Sequence, residues 1–180
     1  MKRDVLVGTL AVALTALLIV GGYYLFFKVG KLVATIGRAT WIGDPAPPFA
    51  LEQYGSAKMV SLAELRGQPV VINFWLGKCG TCVAELPALK SFYRGHKDEM
   101  VFYAINAGES LEEIDDFVKK YEIEYPILLD KQGKVFTRYG ATGVPETVFI
   151  DGEGIIRGWI IGQASVRDLE EGLAKIEEGQ

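Results

Sequence analysis

The chain has 180 residues, with 19 Lys or Arg, 23 Asp or Glu, one His and two Cys. This count is too small for a four-ligand structural zinc site of Cys and His, or for a disulfide-rich scaffold. Residues 1–40 hold five basic residues and one acid, which leaves residues 41–180 with a net charge of −8, so binding to nucleic acid is not expected.

Residues 5–27 form a run of 23 residues without a charge. At about 1.5 Å rise per residue, a helix of this length spans a hydrocarbon core of roughly 30 Å. A cleaved signal peptide is the alternative, because Lys2 and Arg3 make a short basic start. However, the run is long and ends in Tyr-Tyr-Leu-Phe-Phe without a small-residue cleavage site. We therefore predict a transmembrane anchor over residues 1–28, a juxtamembrane linker over 29–40 and a globular domain over 41–180.

Apolar runs alternate with helical patterns after the proline-rich stretch at residues 44–48. The patterns predict strands at 69–75, 101–105, 127–129, 147–150 and 155–161, helices at about 79–95, 110–121 and from 165, and a helical turn at 134–139. Asp151-Gly152 between two apolar runs indicates a hairpin. This order of elements predicts an α/β sandwich with a mixed sheet.

The two cysteines form a Cys79-Gly80-Thr81-Cys82 motif between a predicted buried strand and a predicted helix. A thiolate at a helix N-terminus faces unpaired N–H groups and the positive end of the dipole, so its pKa falls. Lys78 adds a positive charge that lowers it in the same direction. The spacing lets the sulfurs form a reversible disulfide, with Cys79 as the exposed attacking thiolate and Cys82 as the resolving thiol. Metal binding and two inert core cysteines are the alternatives.

The stretch from Phe74 to Pro87 (FWLGKCGTCVAELP) resembles the active-site stretch of the TlpA/ResA-like membrane-anchored thioredoxins, which reads F-W-x-x-W-C-x-x-C-x-x-E-x-P. Three further passages agree in the same order: Gly43-Asp44-Pro45-Ala46-Pro47, Gly143-Val144-Pro145 and Asp151-Gly152. The resemblance covers about residues 41–178 and implies a thioredoxin fold, a mixed central sheet flanked by helices. It also implies thiol–disulfide exchange outside the cytoplasmic membrane, often in cytochrome c maturation. Lys78 replaces the usual Trp, and the dipeptide Gly80-Thr81 lacks the frequent proline, which leaves the direction of electron flow open.

The same resemblance implies roles for residues outside the motif. Glu85, three residues after Cys82 on one helical face, is expected to raise thiol pKa values and to accept the proton of Cys82. The alternative is an idle first-turn acid. Pro145 is expected to be cis, leaving the backbone of Val144 to pair with a substrate strand, against an ordinary trans proline at a strand start. Trp75 either covers the site or belongs to the core.

We therefore expect a membrane-anchored thiol–disulfide oxidoreductase whose only redox group is the Cys79–Cys82 pair, since no Gly-x-Gly-x-x-Gly turn is present. The expected partners are an exported protein that contains a disulfide, such as apocytochrome c, and a membrane electron donor such as a transmembrane thiol reductase. The expected location is the cell membrane, in a single pass, with the domain on the extracytoplasmic side where disulfides persist.

Two other functions share parts of this pattern. A copper(I) carrier would use the two soft thiolates, but it typically adds a third ligand, and His96 is poorly placed for that role. A peroxiredoxin has a similar opening to residues 43–47, but its reactive Cys follows a Thr by three residues, where Leu76 precedes Cys79. The sequence therefore favours disulfide exchange over both.

Overall fold

The computed structural model describes residues 21–23 and 42–178, and residues 42–178 form one seven-stranded sheet with four α-helices. The strands are β1 (Ala50–Gln53), β2 (Met59–Ser61), β3 (Val70–Trp75), β4 (Val101–Asn106), β5 (Ile127–Leu129), β6 (Glu146–Ile150) and β7 (Ile156–Ile161). The α-helices are α1 (Gly80–His96), α2 (Leu111–Tyr121), α3 (Lys134–Tyr139) and α4 (Val166–Glu178), and a 3₁₀ helix covers Leu62–Leu65.

The sheet is mixed, with the strand order β2-β1-β5-β4-β3-β6-β7. Strands β3, β4 and β5 run parallel, and the remaining neighbours pair antiparallel. Parallel neighbours need a crossover connection, which α1 supplies between β3 and β4 and α2 supplies between β4 and β5. As a result, the loops that follow β3 and β4 lie side by side at the carboxyl ends of these two strands.

Strand β3 lies in the middle of the core, and all six of its residues are buried. Its alternating side chains reach both faces of the sheet: Val71 and Trp75 join the apolar layer under α1, α2 and α4, whereas Ile72 and Phe74 join the layer under α3. The exception is Asn73, a polar residue that is 1% exposed in an otherwise apolar strand. A polar group in this position needs hydrogen-bond partners inside the protein.

The predicted α/β sandwich with a mixed sheet is confirmed, and the arrangement is the thioredoxin-like fold that the sequence resemblance implies. The pattern analysis missed β1, β2 and the 3₁₀ helix, three elements of only three or four residues each. Of the predicted anchor at residues 1–28, only 21–23 are described. The predicted linker at 29–40 and residue 41 of the predicted domain lie outside the described residues. Within 21–23 and 42–178, no helix is both long and apolar enough for a bilayer span.

Candidate active site

Cys79 lies where the buried strand β3 is followed by helix α1, and it is the N-cap residue of that helix. Its backbone is extended, and its sulfur accepts a hydrogen bond from the backbone N–H of Cys82 at 3.2 Å. The first turn of a helix has N–H groups without intrahelical partners and carries the positive end of the helix dipole. The sulfur of Cys79 therefore lies where a negative charge is stabilised.

The thiol of Cys79 has a pKa below its ordinary value. Burial alone would raise this pKa, but hydrogen bonds with Cys82 and Thr81 favour the thiolate and outweigh the effect of burial. Oγ1 of Thr81 lies 3.0 Å from Sγ of Cys79. Because the thiolate rather than the thiol attacks a disulfide, these contacts increase the reactivity of Cys79 near neutral pH.

Cys82 has the opposite properties, one turn further along α1. Only 2% of its surface is exposed. Burial is the main cause that raises the pKa of Cys82 to about 12, and the hydrogen bond to Cys79 and the charges of Cys79 and Glu85 act in the same direction. Both cysteines are free thiols in this structure. The motif thus pairs an accessible, acidic thiol with a buried, weakly acidic one.

Glu85 is completely buried in the second turn of the helix that Cys79 caps. Its Oε1 accepts the backbone N–H of Ala164 at 2.7 Å, and its Oε2 accepts Nδ2 of Asn73 at 3.2 Å. Burial raises the pKa of Glu85 to about 6, although both hydrogen bonds favour the ionised form. A carboxyl group with this pKa can exchange a proton near neutral pH, which is the requirement for a general acid or base.

Asn73 connects this carboxylate to the neighbouring strand. Its Nδ2 contacts Oε2 of Glu85 and also donates to Oγ1 of Thr147 on β6 at 3.0 Å. Its Oδ1 is buried and has no hydrogen-bond partner in the described part of the chain. If the Asn73 amide turns over, Oδ1 can accept a hydrogen bond from a protonated Glu85 and from the hydroxyl of Thr147. The network can therefore accommodate both protonation states of Glu85.

The loop before β6 approaches the reactive sulfur from the other side. The peptide bond between Val144 and Pro145 is cis, as the resemblance implies. The carbonyl oxygen of Val144 lies 3.4 Å from Sγ of Cys79 and accepts a hydrogen bond from the thiol. The carbonyl of Pro145 in turn accepts the N–H of Gly162 after β7 at 2.8 Å. Backbone polar groups thus lie next to the sulfur that a substrate would meet.

Lys78 and Trp75, which were also singled out in the sequence, make their side-chain contacts with helix α2. The ammonium group of Lys78 pairs with Glu113 on α2, and its side chain is 78% exposed. The pKa of Cys79 is lowered instead by hydrogen bonds with Cys82 and Thr81. Trp75 is only 5% exposed and packs against Phe117, with ring centroids 4.5 Å apart. The structure therefore places Trp75 in the core rather than on the surface of the site.

Glu109 contacts the turn that leads into the Cys79 motif, and the sequence analysis did not identify it. Its Oε2 accepts the N–H of Gly77 at 2.7 Å and Nδ2 of Asn106 at 2.7 Å, and its Oε1 accepts the N–H of Lys78 at 3.3 Å. It therefore holds the turn that leads into Cys79. The sequence carried one signal for this contact, since Glu109 lies in the loop that follows β4 and β4 is the parallel neighbour of β3. Groups that follow the carboxyl ends of neighbouring parallel strands lie close together.

His96 lies at the opposite end of α1 from the cysteines. It is the last residue of a helix that starts at Gly80, so the rise along the helix separates the two by about 24 Å. Its Nδ1 contacts the carboxylate of Glu99 at 2.8 Å. His96 therefore cannot contribute a third ligand to a metal bound between the two sulfurs.

An accessible thiol of lowered pKa, a buried partner thiol and a buried carboxylate, on a thioredoxin-like fold, define a thiol–disulfide oxidoreductase. Comparisons with known proteins agree. The profile of the AhpC/TSA family matches residues 42–158. The chain belongs to this family, and it is similar to thiol-disulfide oxidoreductases named ResA.

Two curated relatives and one solved structure illustrate the match. ResA of Bacillus thuringiensis subsp. konkukian is 32% identical over 136 residues, which cover 75% of this chain and 78% of the relative. ResA of Bacillus subtilis is 30% identical, covering 77% of each chain. The crystal structure of a thiol:disulfide interchange protein, DsbE, from Chlorobium tepidum has a TM-score of 0.69 and 25% identity, covering 77% of this chain and 99% of that one.

The residues around Cys79 also bear on the peroxiredoxin alternative that the sequence raised. The Thr-x-x-Cys pattern expected of a peroxidase is absent, because Leu76 stands three residues before Cys79. The same spacing before Cys82 is occupied by Cys79 itself. The motif therefore supports exchange between thiols and disulfides rather than peroxide reduction.

Proposed function

We propose that this protein is a membrane-anchored reductase that opens disulfides in exported proteins, such as apocytochrome c, on the extracytoplasmic side of the membrane. The observation that carries the proposal is the difference between the two thiols. Cys79 is accessible and has a lowered pKa, whereas Cys82 is buried and has a pKa of about 12. This division suits a dithiol in which one sulfur attacks the substrate and the other releases it.

The first step uses Cys79 alone. Its thiolate attacks one sulfur of the substrate disulfide, the substrate S–S bond breaks, and a bond between Cys79 and the substrate forms. The departing substrate sulfur leaves as a thiolate and takes a proton from solvent. Hydrogen bonds from Thr81 and from the N–H of Cys82 favour the attacking thiolate before the step.

The second step requires Cys82 to lose its proton although its pKa is about 12. Ionised Glu85 is the nearby group that accepts this proton, since its own pKa of about 6 leaves it largely ionised at neutral pH. The Cys82 thiolate then attacks Sγ of Cys79, the mixed disulfide breaks, and the second substrate sulfur leaves and is protonated. The substrate gains two electrons and two protons, and the Cys79–Cys82 disulfide forms.

Substrate recognition is assigned to the loop before β6. The backbone of Val144 lies beside the reactive sulfur, and Pro145 has no N–H group that would compete for a partner. An extended segment of substrate can pair with this backbone as an added strand, which gives affinity without selecting a particular sequence. Trp75 supports the site from the core, and Lys78 acts through its ion pair with Glu113 on the neighbouring helix.

The proposed location rests on the uncharged run at residues 5–27 and on the chemistry of the pair. Each reaction cycle leaves the Cys79–Cys82 pair oxidised, so a dithiol must reduce it again. A tethered domain outside the cytoplasm would receive these electrons from a membrane partner such as a transmembrane thiol reductase. The pair itself is the redox group in this scheme, and no further cofactor takes part.

An equilibrium redox titration of the whole chain in detergent micelles tests the proposed direction. Alkylation of Cys79 and Cys82 reports the reduced fraction at each buffer potential. We expect a potential near about −250 mV or lower, in the range of thioredoxin. A potential near about −120 mV would mark an oxidant instead and contradict the proposed reductase. Tight copper(I) binding without exchange activity would favour the metal-carrier alternative.

A membrane-impermeant maleimide applied to intact cells tests the proposed location. Cys79 is the accessible thiol and Cys82 is buried, so the reagent should label one sulfur per chain from outside. The Cys79→Ser variant serves as the control and should stay unlabelled. Labelling that appears only after the cells are lysed would contradict an extracytoplasmic domain.

A further inference from the structure

Glu146, the first residue of β6, is a buried carboxylate that the exchange reaction does not use. Only 1% of its surface is exposed. Its Oε1 accepts the N–H of Thr142 at 2.9 Å and the N–H of Gly143 at 3.0 Å. Its Oε2 accepts Nε1 of Trp159 on β7 at 2.8 Å. One carboxylate therefore links β7 to the loop that precedes β6.

The loop in question is the one that approaches the reactive sulfur. Glu146 holds Thr142 and Gly143 in the middle of this loop, while Gly162 holds its last residue through the carbonyl of Pro145 at 2.8 Å. Val144 stands between these two attachments, with its carbonyl oxygen 3.4 Å from Sγ of Cys79. The position of the Val144 backbone is thus fixed from both sides.

A carboxylate is an expensive group to bury, because it loses its hydration on folding. An apolar side chain of similar size would fill the same space without that cost. The hydrogen bonds to the loop and to Trp159 offset the lost hydration, and they are charge-assisted and hence stronger than bonds between neutral groups. These contacts therefore indicate that the Glu146 side chain fixes the loop, rather than only filling space in the core.

We propose that Glu146 is a positioning residue for substrate recognition: it holds Thr142 and Gly143 so that the backbone of Val144 is preorganised to pair with an extended segment of the substrate polypeptide. The proposal rests on the disulfide exchange at Cys79 proposed above. A preorganised loop improves affinity because less conformational freedom is lost on binding. Glu146 should consequently affect substrates that reach the loop and not those that reach only the sulfur.

The test compares two substrates on the full chain. One is a synthetic peptide closed by a disulfide, which is long enough to pair with the loop. The other is hydroxyethyl disulfide, which is too small to do so. The Glu146→Leu variant should raise KM for the peptide about tenfold, the effect of losing roughly one well-formed hydrogen bond. Its kcat for the peptide, its kcat/KM for hydroxyethyl disulfide and the pH profile of Cys79 alkylation should stay within about twofold of the native values.

Three further variants test whether a rise of KM in Glu146→Leu comes from the loop contact or from a general loss of stability. Glu146→Gln keeps an oxygen that accepts from the loop and should restore most of the native KM. Trp159→Phe removes the donor on the far side of the carboxylate and should raise KM about threefold, which keeps the test open if Glu146→Leu does not fold. Asp151→Leu removes the other buried carboxylate of the hairpin, at the opposite end of β6, and should lower Tm without changing KM.

A native KM in both Glu146→Leu and Trp159→Phe, an equal loss of kcat/KM for both substrates, or a similar rise of KM in Asp151→Leu would each overturn the role of Glu146. Failure of the native chain to reduce either substrate is a different result, because it would contradict the proposed function itself.

Discussion

Replacing Cys79 by serine should abolish disulfide exchange, with a loss of at least about a thousandfold in rate. Its sulfur is the half-buried one and the one whose pKa is lowered by hydrogen bonds from Cys82 and Thr81. Cys82 cannot take over the attack, because it is buried and its pKa is about 12. Initial rates with a peptide disulfide, measured at several pH values, would check this expectation.

The Cys82→Ser variant should behave differently and serves as the matched control. It retains the attacking thiolate, so it should form a mixed disulfide with the substrate and then stop. Mass spectrometry without a reducing agent would show the chain with one substrate molecule attached. Residual turnover in Cys79→Ser would reverse the two assigned roles. So would a mixed disulfide that forms on Cys82 in the Cys79→Ser variant while none forms on Cys79 in the Cys82→Ser variant.

Replacing Glu85 by glutamine should slow the second step about a hundredfold, the typical contribution of a positioned general base. The amide can still accept the N–H of Ala164, and a turned Asn73 can accept from the new amide group, so the fold should be kept. The mixed disulfide should accumulate in rapid-quench measurements, because attack by Cys79 continues while release by Cys82 is slow. An unchanged rate of release would leave Glu85 as an idle buried acid.

The same substitution should change how stability depends on pH. Burial raises the pKa of Glu85 from 4.5 to about 6, so the folded state binds its proton more tightly than the unfolded state does. The free energy of unfolding therefore decreases as the pH rises from about 4 to about 7, by about 2 kcal/mol in total. Glu85→Gln should remove this decrease and be the more stable protein at neutral pH.

Asp151 supplies the control for this pH dependence, because it is also buried but its pKa is shifted the other way. Burial would raise the pKa of Asp151, but hydrogen bonds from the N–H of Ile155 and from Arg157 outweigh burial and lower it. Its contribution to stability is present at neutral pH and is lost as the pH falls. Asp151→Asn should therefore lower the free energy of unfolding at neutral pH. Urea unfolding at intervals between about pH 4 and pH 8 would separate the two carboxylates.

The longer elements of the fold could be predicted from local sequence patterns. Strand β3 is a β-branched and aromatic run that only Asn73 interrupts. Helix α2 opens with a capping box at Ser110 and Glu113, and the structure contains it. Strands β1 and β2 were missed because four and three residues are too few for a clear alternation. They pair with each other, β1 also pairs with the distant strand β5, and this pairing rather than local preference makes them strands.

The site was predictable to the extent that its residues are close in the sequence. Cys79, Cys82 and Glu85 lie within two helical turns, so their spacing alone places them on one face. Glu109 was missed because its contact with the turn before Cys79 depends on the path of the chain, and Glu146 was missed because its bond to Trp159 depends on the pairing of β6 with β7. Glu109 reaches Lys78 across 31 residues, and Glu85 meets Ala164 across 79. Asn73 left one detectable signal, since a polar residue inside a fully buried strand needs a partner.

The burial of Cys82 also has a consequence for the oxidised protein. A thiol that reduces the Cys79–Cys82 disulfide must attack the accessible sulfur of Cys79 and expel Cys82. A thiol with a pKa of about 12 is a poor leaving group, so this reaction is slow unless a proton reaches Cys82 as it departs. Small thiols in the surroundings would therefore equilibrate with the pair only slowly. The pair is therefore kinetically insulated from them, and under the proposed function its redox state would follow the membrane donor rather than the ambient thiol pool.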